Sequence, residues 1–306
     1  MPCGPAAHTK ASSDLSAGAP GAAGAQFRFV QFEFPWALGP EDGRYVLRRH
    51  AGEEPDHVLV LRTLGAPQRR LLGGRRPRRA ESRPTPVPVT TARATLVDAV
   101  PLADAAAAAA WLEQADRDAL VADALRMLNR VLHLHRMAVA DPFARDVSQE
   151  QALVVRVGYG AGEDVADGRY AAALELPAPR GVRARRSTAL RPQERLAALL
   201  SGRDAALACE ELALQARADL DAGRSREAAL VLRPALEAAL SELEPWADRG
   251  DLRDRLTELA GLRADALGTY DRALQSGLDE PEAAAVDRVL RRVEAALRAR
   301  TASGWE

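Results

Sequence analysis

Three glycines alternate in Gly158-Tyr159-Gly160-Ala161-Gly162, and Glu163 and Asp164 follow at once. Such a run can turn backbone N–H groups toward a phosphate. A dinucleotide site, however, needs the run to open a helix, whose N-terminal dipole holds the pyrophosphate. Here it lies between two strand patterns, and Glu163, Asp164 and Asp167 repel phosphate, so a flexible hairpin loop is expected. The same acids offer oxygen ligands to a divalent cation, but their spacing fits no Ca²⁺-loop pattern. His133 and His135 fall on a helical pattern two residues apart, about 200° around the axis. They cannot grip one metal ion, which takes helical pairs at i, i+4. His133, with Asn129 and Arg136, is expected on a polar helix face. His50 and His57 flank a loop without an obvious partner. Cys209 adjoins Glu210 and Glu211, whose charge disfavours a thiolate, so a buried structural thiol is expected there. No nucleophile elbow, P-loop, H-E-x-x-H or kinase signature occurs. These residues give no catalytic group, no cofactor and no metal site.

The strongest electrostatic feature is a set of arginines. Arg69, Arg70, Arg75, Arg76, Arg78, Arg79 and Arg83 fall within residues 62–83, which carry eight arginines and one acid, Glu81. A second arginine-rich stretch over 180–195, in the proline- and arginine-rich linker, adds Arg183, Arg185 and Arg186. These ten side chains are the candidate binding residues, for a polyanion or an acidic protein. They can neutralise several phosphates, with affinity that falls steeply in salt. The aromatic run Phe27-Arg28-Phe29-Val30-Gln31-Phe32-Glu33-Phe34 would then serve as a stacking platform. Against this, the RNA-recognition aromatic signature is missing, and Phe on a strand is usually core. The formal charge of the chain is −1, so no global field draws it to nucleic acid or to an anionic membrane. Lys10 is the single lysine among 42 basic residues, a bias expected of a GC-rich, bacterial coding sequence.

The elements that must position these groups follow from hydrophobic rhythm. A chain of 306 residues corresponds to about two domains at ~100–200 residues each. Residues 1–25 are rich in Gly, Ala, Pro and Ser without periodicity, and a disordered tail is expected. Strand patterns follow at 27–34, 44–49, 57–64, 87–100, 152–159 and 169–176. Between the fourth and fifth the period changes to 3.6, with Leu120, Ala124, Met127, Leu128, Val131, Leu134 and Ala138 on one stripe, predicting one helix over 104–140 that Asp141-Pro142 ends. The expected fold class is therefore α+β. A mostly antiparallel sheet packed on one long helix occupies 26–180, an Arg/Pro-rich linker 181–192, and an all-α bundle or repeat-like domain 193–306. In the latter, helices are expected at 193–201, 204–222, 225–247, 251–276 and 281–301. Gly223 and Gly277 stand at cap positions, Pro281 in a first turn, and Pro234 at an expected kink.

In the helical half, Gly223, Ala228, Leu232 and Ala235, preceded by Leu212 and Ala216, are echoed by Gly261, Ala266, Tyr270 and Ala273. At these offsets the segment 204–276 resembles tetratricopeptide hairpins. It departs from them in its step of 38 residues against the usual ~34, in Asp219 where an aromatic is usual, and in lacking a proline after the first hairpin. The resemblance implies a peptide- or protein-binding module.

Charge is divided along the chain. Residues 26–203 hold 27 arginines and 21 acids, net +6, and residues 204–306 hold 14 and 21, net −7. Opposite signs favour docking between domains or between copies. Cys3 and Cys209 are too few for a disulfide framework or a four-thiolate zinc site, so reduced thiols in a cytoplasmic protein are expected. No 18-residue apolar stretch exists for a membrane span, and the N-terminal 25 residues lack a secretory apolar core. The expected function is that of a non-enzymatic interaction or assembly protein. Its helical C-terminal domain would be the docking surface, for a protein partner or for self-association. The alternative is a nucleic-acid-binding protein using the arginines of 69–83 and 180–195.

Overall fold

In the computed structural model, residues 25–48, 52–65, 90–177 and 192–302 are described. Six strands, β1 (Gln26–Phe34), β2 (Gly43–Leu47), β3 (His57–Leu64), β4 (Thr91–Leu102), β5 (Val154–Gly160) and β6 (Ala172–Glu175), make one antiparallel sheet in the order β2-β3-β4-β1-β5-β6. The helices are α1 (Ala105–Gln114), α2 (Arg117–Val139), α3 (Pro192–Leu200), α4 (Ala208–Asp221), α5 (Ser225–Glu242), α6 (Leu252–Gly261), α7 (Arg263–Gln275) and α8 (Glu280–Ala302). The fold class is α+β. By internal contacts the chain forms two compact units, Met1–Ala124 with Ser148–Leu176, and Leu125–Val147 with Pro177–Glu306, so the division falls inside α2.

Alternation along β1 separates two chemistries. Val30, Phe32 and Phe34 share a face with Leu59, Leu61, Ala94, Leu96, Val155 and Val157, and all are buried. Withdrawing a phenylalanine such as Phe32 from water is worth about 1.5–3 kcal/mol, and this face is the apolar core of the first unit. Arg28, on the same face, lies 5.5 Å from the Trp111 ring of α1 and pairs with Asp98 at 3.3 Å. The opposite face carries Phe29, Gln31, Glu33, Arg93, Thr95, Val97 and Arg156.

The single helix expected over 104–140 is two. Asp104 caps α1 through its side chain on the Ala107 N–H at 2.7 Å, and Asp116 does the same to Ala119 at 3.1 Å. Ala115 is extended between them, so a second cap, rather than a breaker, divides the helical pattern. The stripe is also rotated from the expected one. Val121, Ala124, Leu128 and Leu132 are the buried residues, while Leu134 and Ala138 are exposed. The strand expected at 169–176 shortens to β6.

In the second unit, Cys209, Ala213, Ala216, Ala228, Leu232, Leu236, Leu256, Leu259, Val286, Leu290 and Val293 belong to one buried cluster. Alanine at facing positions lets α4 and α5 approach as a hairpin, and α5 packs on α7 and α8. Gly223 adopts a left-handed φ of 76°, and the N–H groups of Gly223 and Arg224 close back on Leu220 and Asp219, the bonding of a Schellman cap. The helix expected over 251–276 breaks at Leu262, which ends α6 and precedes α7. At the other end Ser276, in extended geometry, closes α7, and Gly277 has no left-handed φ. Helix α5 continues through Pro234.

Candidate functional site

The glycine run does not form a loop. Gly158 and Gly160 belong to β5, and Gly162–Asp167 is a 3-10 helix lying on the polar face of the sheet. A Cβ on Gly158 would stand 2.3 Å from the Ala172 carbonyl oxygen, and one on Gly160 2.6 Å from Val165 Cγ1. The glycines therefore admit β6 and the 3-10 turn to close approach. Val165 enters a small cluster with Phe29 and Val97. Buried Gln31 donates to Thr95 Oγ1 at 3.0 Å and to the Val165 carbonyl at 3.2 Å, and accepts from Arg156 at 3.1 Å. Arg93 bonds the Ala166 carbonyl at 3.1 Å and, with Arg156, Glu33 at 2.9–3.0 Å. The acids of the turn are also engaged. Glu163 pairs with Arg44, Asp164 with Arg169 at 2.8 Å, and Asp167 with Arg62 at 3.6 Å. Guanidinium groups occupy the places that a cation would need, and the array is a polar clamp holding the turn to the sheet.

The helical unit has a second buried array. The Arg300 and Asp204 side chains, each 4% exposed, form an ion pair, with Arg195 3.4 Å from Asp204 and also paired to Glu210. The Arg300 guanidinium lies 4.6 Å over Trp246. Burial raises the Asp204 carboxyl, but hydrogen bonds and charge from Arg300, the Ala205 N–H and Arg195 outweigh it and hold the group below the usual carboxylate range. Cys209 is fully buried. Burial pushes its thiol up to about 12, and the neighbouring Glu242 and Glu210 carboxylates push the same way. Glu242 also accepts from the Ala208 and Cys209 N–H groups at 3.2 and 2.9 Å, capping α4 from the far end of α5. Arg217 of α4 reaches Asp287 and Glu294 of α8 at 2.8 Å each.

An open cleft at the start of α6 is lined by Arg249, Asp251, Arg255 and Arg298 with alanines of α8. Arg255 is paired to Asp251 at 2.6 Å, and Arg298 lies 3.9 Å from Glu294. Among the described residues no group of three or more His, Cys, Asp or Glu could hold a metal ion, and no helix is long and apolar enough to cross a membrane. His133 and His135 are half-buried on α2, and His57 lies 3.6 Å from Asp56. Arg69, Arg70, Arg75, Arg76, Arg78, Arg79, Arg83, Arg183, Arg185 and Arg186 lie outside the described residues.

The feature that the sequence pattern did not single out is the end of α2. Leu134, Met137, Val139 and Phe143 are 50, 58, 52 and 82% exposed. The turn that carries Phe143 is tightly built. Ala140, at a left-handed φ of 51°, donates to the Met137 carbonyl, and Asp141 N–H reaches back to Arg136. This is a Schellman cap with alanine in the glycine position. The Asp141 carboxylate accepts from the Phe143 N–H at 2.8 Å. Beyond it, Asn129 exchanges two hydrogen bonds with Val147, at 2.8 and 2.9 Å, and Asp146 pairs with Arg224 at 2.6 Å. Phe143 thus projects from a turn anchored on both sides. Compared with known proteins, the chain matches no family model, no curated protein and no solved structure.

Proposed function

We propose that the chain is a non-enzymatic interaction or assembly protein, with its helical unit as the docking surface. The carrying observation is the apolar end of α2. Four large side chains within ten residues are each at least half exposed, and the one at the apex is held by an anchored turn. Leu134 and Met137 lie on one side of the last turns of α2, Val139 on the other and Phe143 on the turn beyond. The helix end as a whole, rather than one face of it, is therefore apolar and exposed, and exposed apolar surface beyond scattered single residues marks an interaction site. An aromatic presented on a preorganised turn loses little conformational freedom on binding. The alternative, binding of nucleic acid, rests on the arginines of 69–83 and 180–195. The described arginines of the sheet face, Arg62, Arg93 and Arg156, are each paired with an acid and add nothing to it.

The test is recovery of the tagged full chain from its source cells, with co-recovered chains identified by mass spectrometry. Phe143→Ser with Met137→Ser is expected to abolish a stoichiometric partner, whether that is another protein or a second, untagged copy. An unchanged set of bound chains overturns the reading. Retention on a polyanion resin that survives the two substitutions, and is lost when Arg75, Arg76, Arg78 and Arg79 become alanine, supports the nucleic-acid alternative.

A further inference from the structure

We infer that the cleft at the start of α6 is a binding site for a phosphate group carried by a small molecule, held by Arg249, Arg255 and Arg298. The inference goes beyond the docking reading and does not depend on it. The cleft lies between the first turn of α6 and the last turns of α8 and encloses about 540 Å³, within the range of about 300–1,000 Å³ usual for small-molecule sites. Ala295, Ala299 and Ala302 of its wall fall on one side of α8, and their small side chains leave room that larger ones would fill. Gly250 has a left-handed φ of 58° and nothing within 4 Å of its Cβ position, so the mouth is open on that side.

The lining carries three guanidinium groups against one carboxylate, that of Asp251. This is a local excess of two positive charges in a half of the chain whose net charge is −7. Arg255 and Arg298 keep donors beyond those the neighbouring acids take. Arg255 bonds Asp251 through Nη2 alone, and its Nε is buried without a hydrogen-bond partner. Arg298 stands 3.9 Å from Glu294, outside hydrogen-bond reach. Glu294 is meanwhile held by Arg217 through both its oxygens, at 2.8 and 3.2 Å. Glu258 and Asp248 are likewise engaged, by Arg292 and Arg253. A dianion matches the excess in charge, and the planar guanidinium fork matches phosphate oxygens two at a time. A carboxylate brings half that charge. The alanine wall suits the organic part of an ester.

The test is isothermal titration calorimetry of the full chain with inorganic phosphate, phenyl phosphate and acetate, at an ionic strength held constant with chloride. Both phosphates are expected to bind with saturation, and acetate about tenfold more weakly. Arg255→Gln and Arg298→Gln are each expected to weaken phosphate binding about tenfold or more, as loss of a hydrogen bond to a charged group does. Asp251→Asn should tighten it, because the carboxylate that repels the anion and engages Arg255 is then neutral. The Asp251 side chain makes no capping bond, so α6 keeps its start. A purely structural role of these side chains would not give that gain, and melting curves check that each variant is folded. Tighter binding of phenyl phosphate than of inorganic phosphate assigns an ester. The reverse assigns the free ion and overturns the placing of an organic group against the alanines. No saturable binding of either phosphate overturns the inference, and so does binding that Arg255→Gln and Arg298→Gln leave unchanged. Phe143→Ser with Met137→Ser is expected to leave phosphate affinity as it is, so failure here and failure of the docking reading are told apart.

Discussion

Gly158 sits where two backbones meet. Its missing Cβ leaves room for the Ala172 carbonyl, 2.3 Å from where that carbon would be, and for Ala173 Cα at 2.8 Å. Backbone cannot yield as a flexible side chain does. Gly158→Ala is therefore expected to part β5 from β6 and to destabilise the first unit by about 1–3 kcal/mol, the usual cost of overpacking, read from urea unfolding. Gly162 is the contrasting control, because nothing lies within 4 Å of its Cβ position; its left-handed φ of 52° is then the sole constraint. Alternating glycines were legible as a special segment, but periodicity does not distinguish glycines that free N–H groups for a ligand from glycines that admit a neighbouring strand. Cys209 was more directly legible. An apolar helical stretch with adjacent carboxylates predicts an inert thiol, and the structure gives a fully buried sulfur whose pKa is about 12. At pH 8 the thiolate fraction is then about 10⁻⁴, one decade per pH unit. Site-resolved mass spectrometry should find Cys209 unmodified by maleimide in the native protein at pH 8 and modified in denaturant. Native labelling at the denatured rate would refute this.

At the scale of elements, caps and ion pairs decide where helices stop and how they lock. Ala140 ends α2 in a left-handed conformation that costs an L-residue about 1–2 kcal/mol. Part of that gain is offset by the freedom glycine restores to the unfolded chain. Ala140→Gly is thus expected to raise stability by about 0.5–1 kcal/mol, seen as a higher urea midpoint with an unchanged slope. The helix boundaries at 115–116 and at 262 escaped the periodic pattern for a related reason. Asp116 is a good cap and a tolerable helix residue, and only the competing hydrogen bond to Ala119 shows which role it takes. The Asp204 array supplies the pH dependence. Its carboxyl lies below the usual range when folded, so the folded state binds the proton more weakly than the unfolded one. The resulting stability is fully present above the unfolded value of about 3.9 and is lost as pH falls through the folded value. Asp287, depressed by Arg217 and Arg291 despite its burial, acts in the same direction. Asp204→Asn leaves Arg300 buried with its main counter-charge removed, which should cost about 3 kcal/mol at pH 7. It should also flatten the fall in melting temperature below pH 4. An Asn variant with the wild-type acid slope would show that Asp204 does not carry this dependence.

For the whole molecule, the sequence pattern gave the sheet, the helical half and their order, because alternation and 3.6-residue rhythm are set by burial along a strand or a helix. It gave no sign of the exposed α2 end, because Leu134 and Ala138 keep the rhythm of the buried stripe without being buried. Rhythm records which side of a helix is apolar; it does not record where the covering neighbour ends. A helix of 23 residues extends about 34 Å at 1.5 Å per residue, and the last turns of α2 remain exposed. Each unit nonetheless has apolar residues of its own. The sheet face around Phe32 and the helical cluster around Leu232 involve different residues, and the clamps at Gly158 and Asp204 share no partner. Substitutions without shared partners add to within about 0.3–0.5 kcal/mol. The double variant Gly158→Ala with Asp204→Asn should therefore lose the sum of the two single losses, measured by urea unfolding at pH 7 with far-UV and tryptophan signals followed together. Where unfolding resolves into two transitions, Gly158→Ala should move the one dominated by strand signal, and Asp204→Asn the one reported by Trp246, which lies against Arg300. A coupling well above about 0.5 kcal/mol between them would mean that a perturbation at the sheet reaches the Asp204 array of the helical unit.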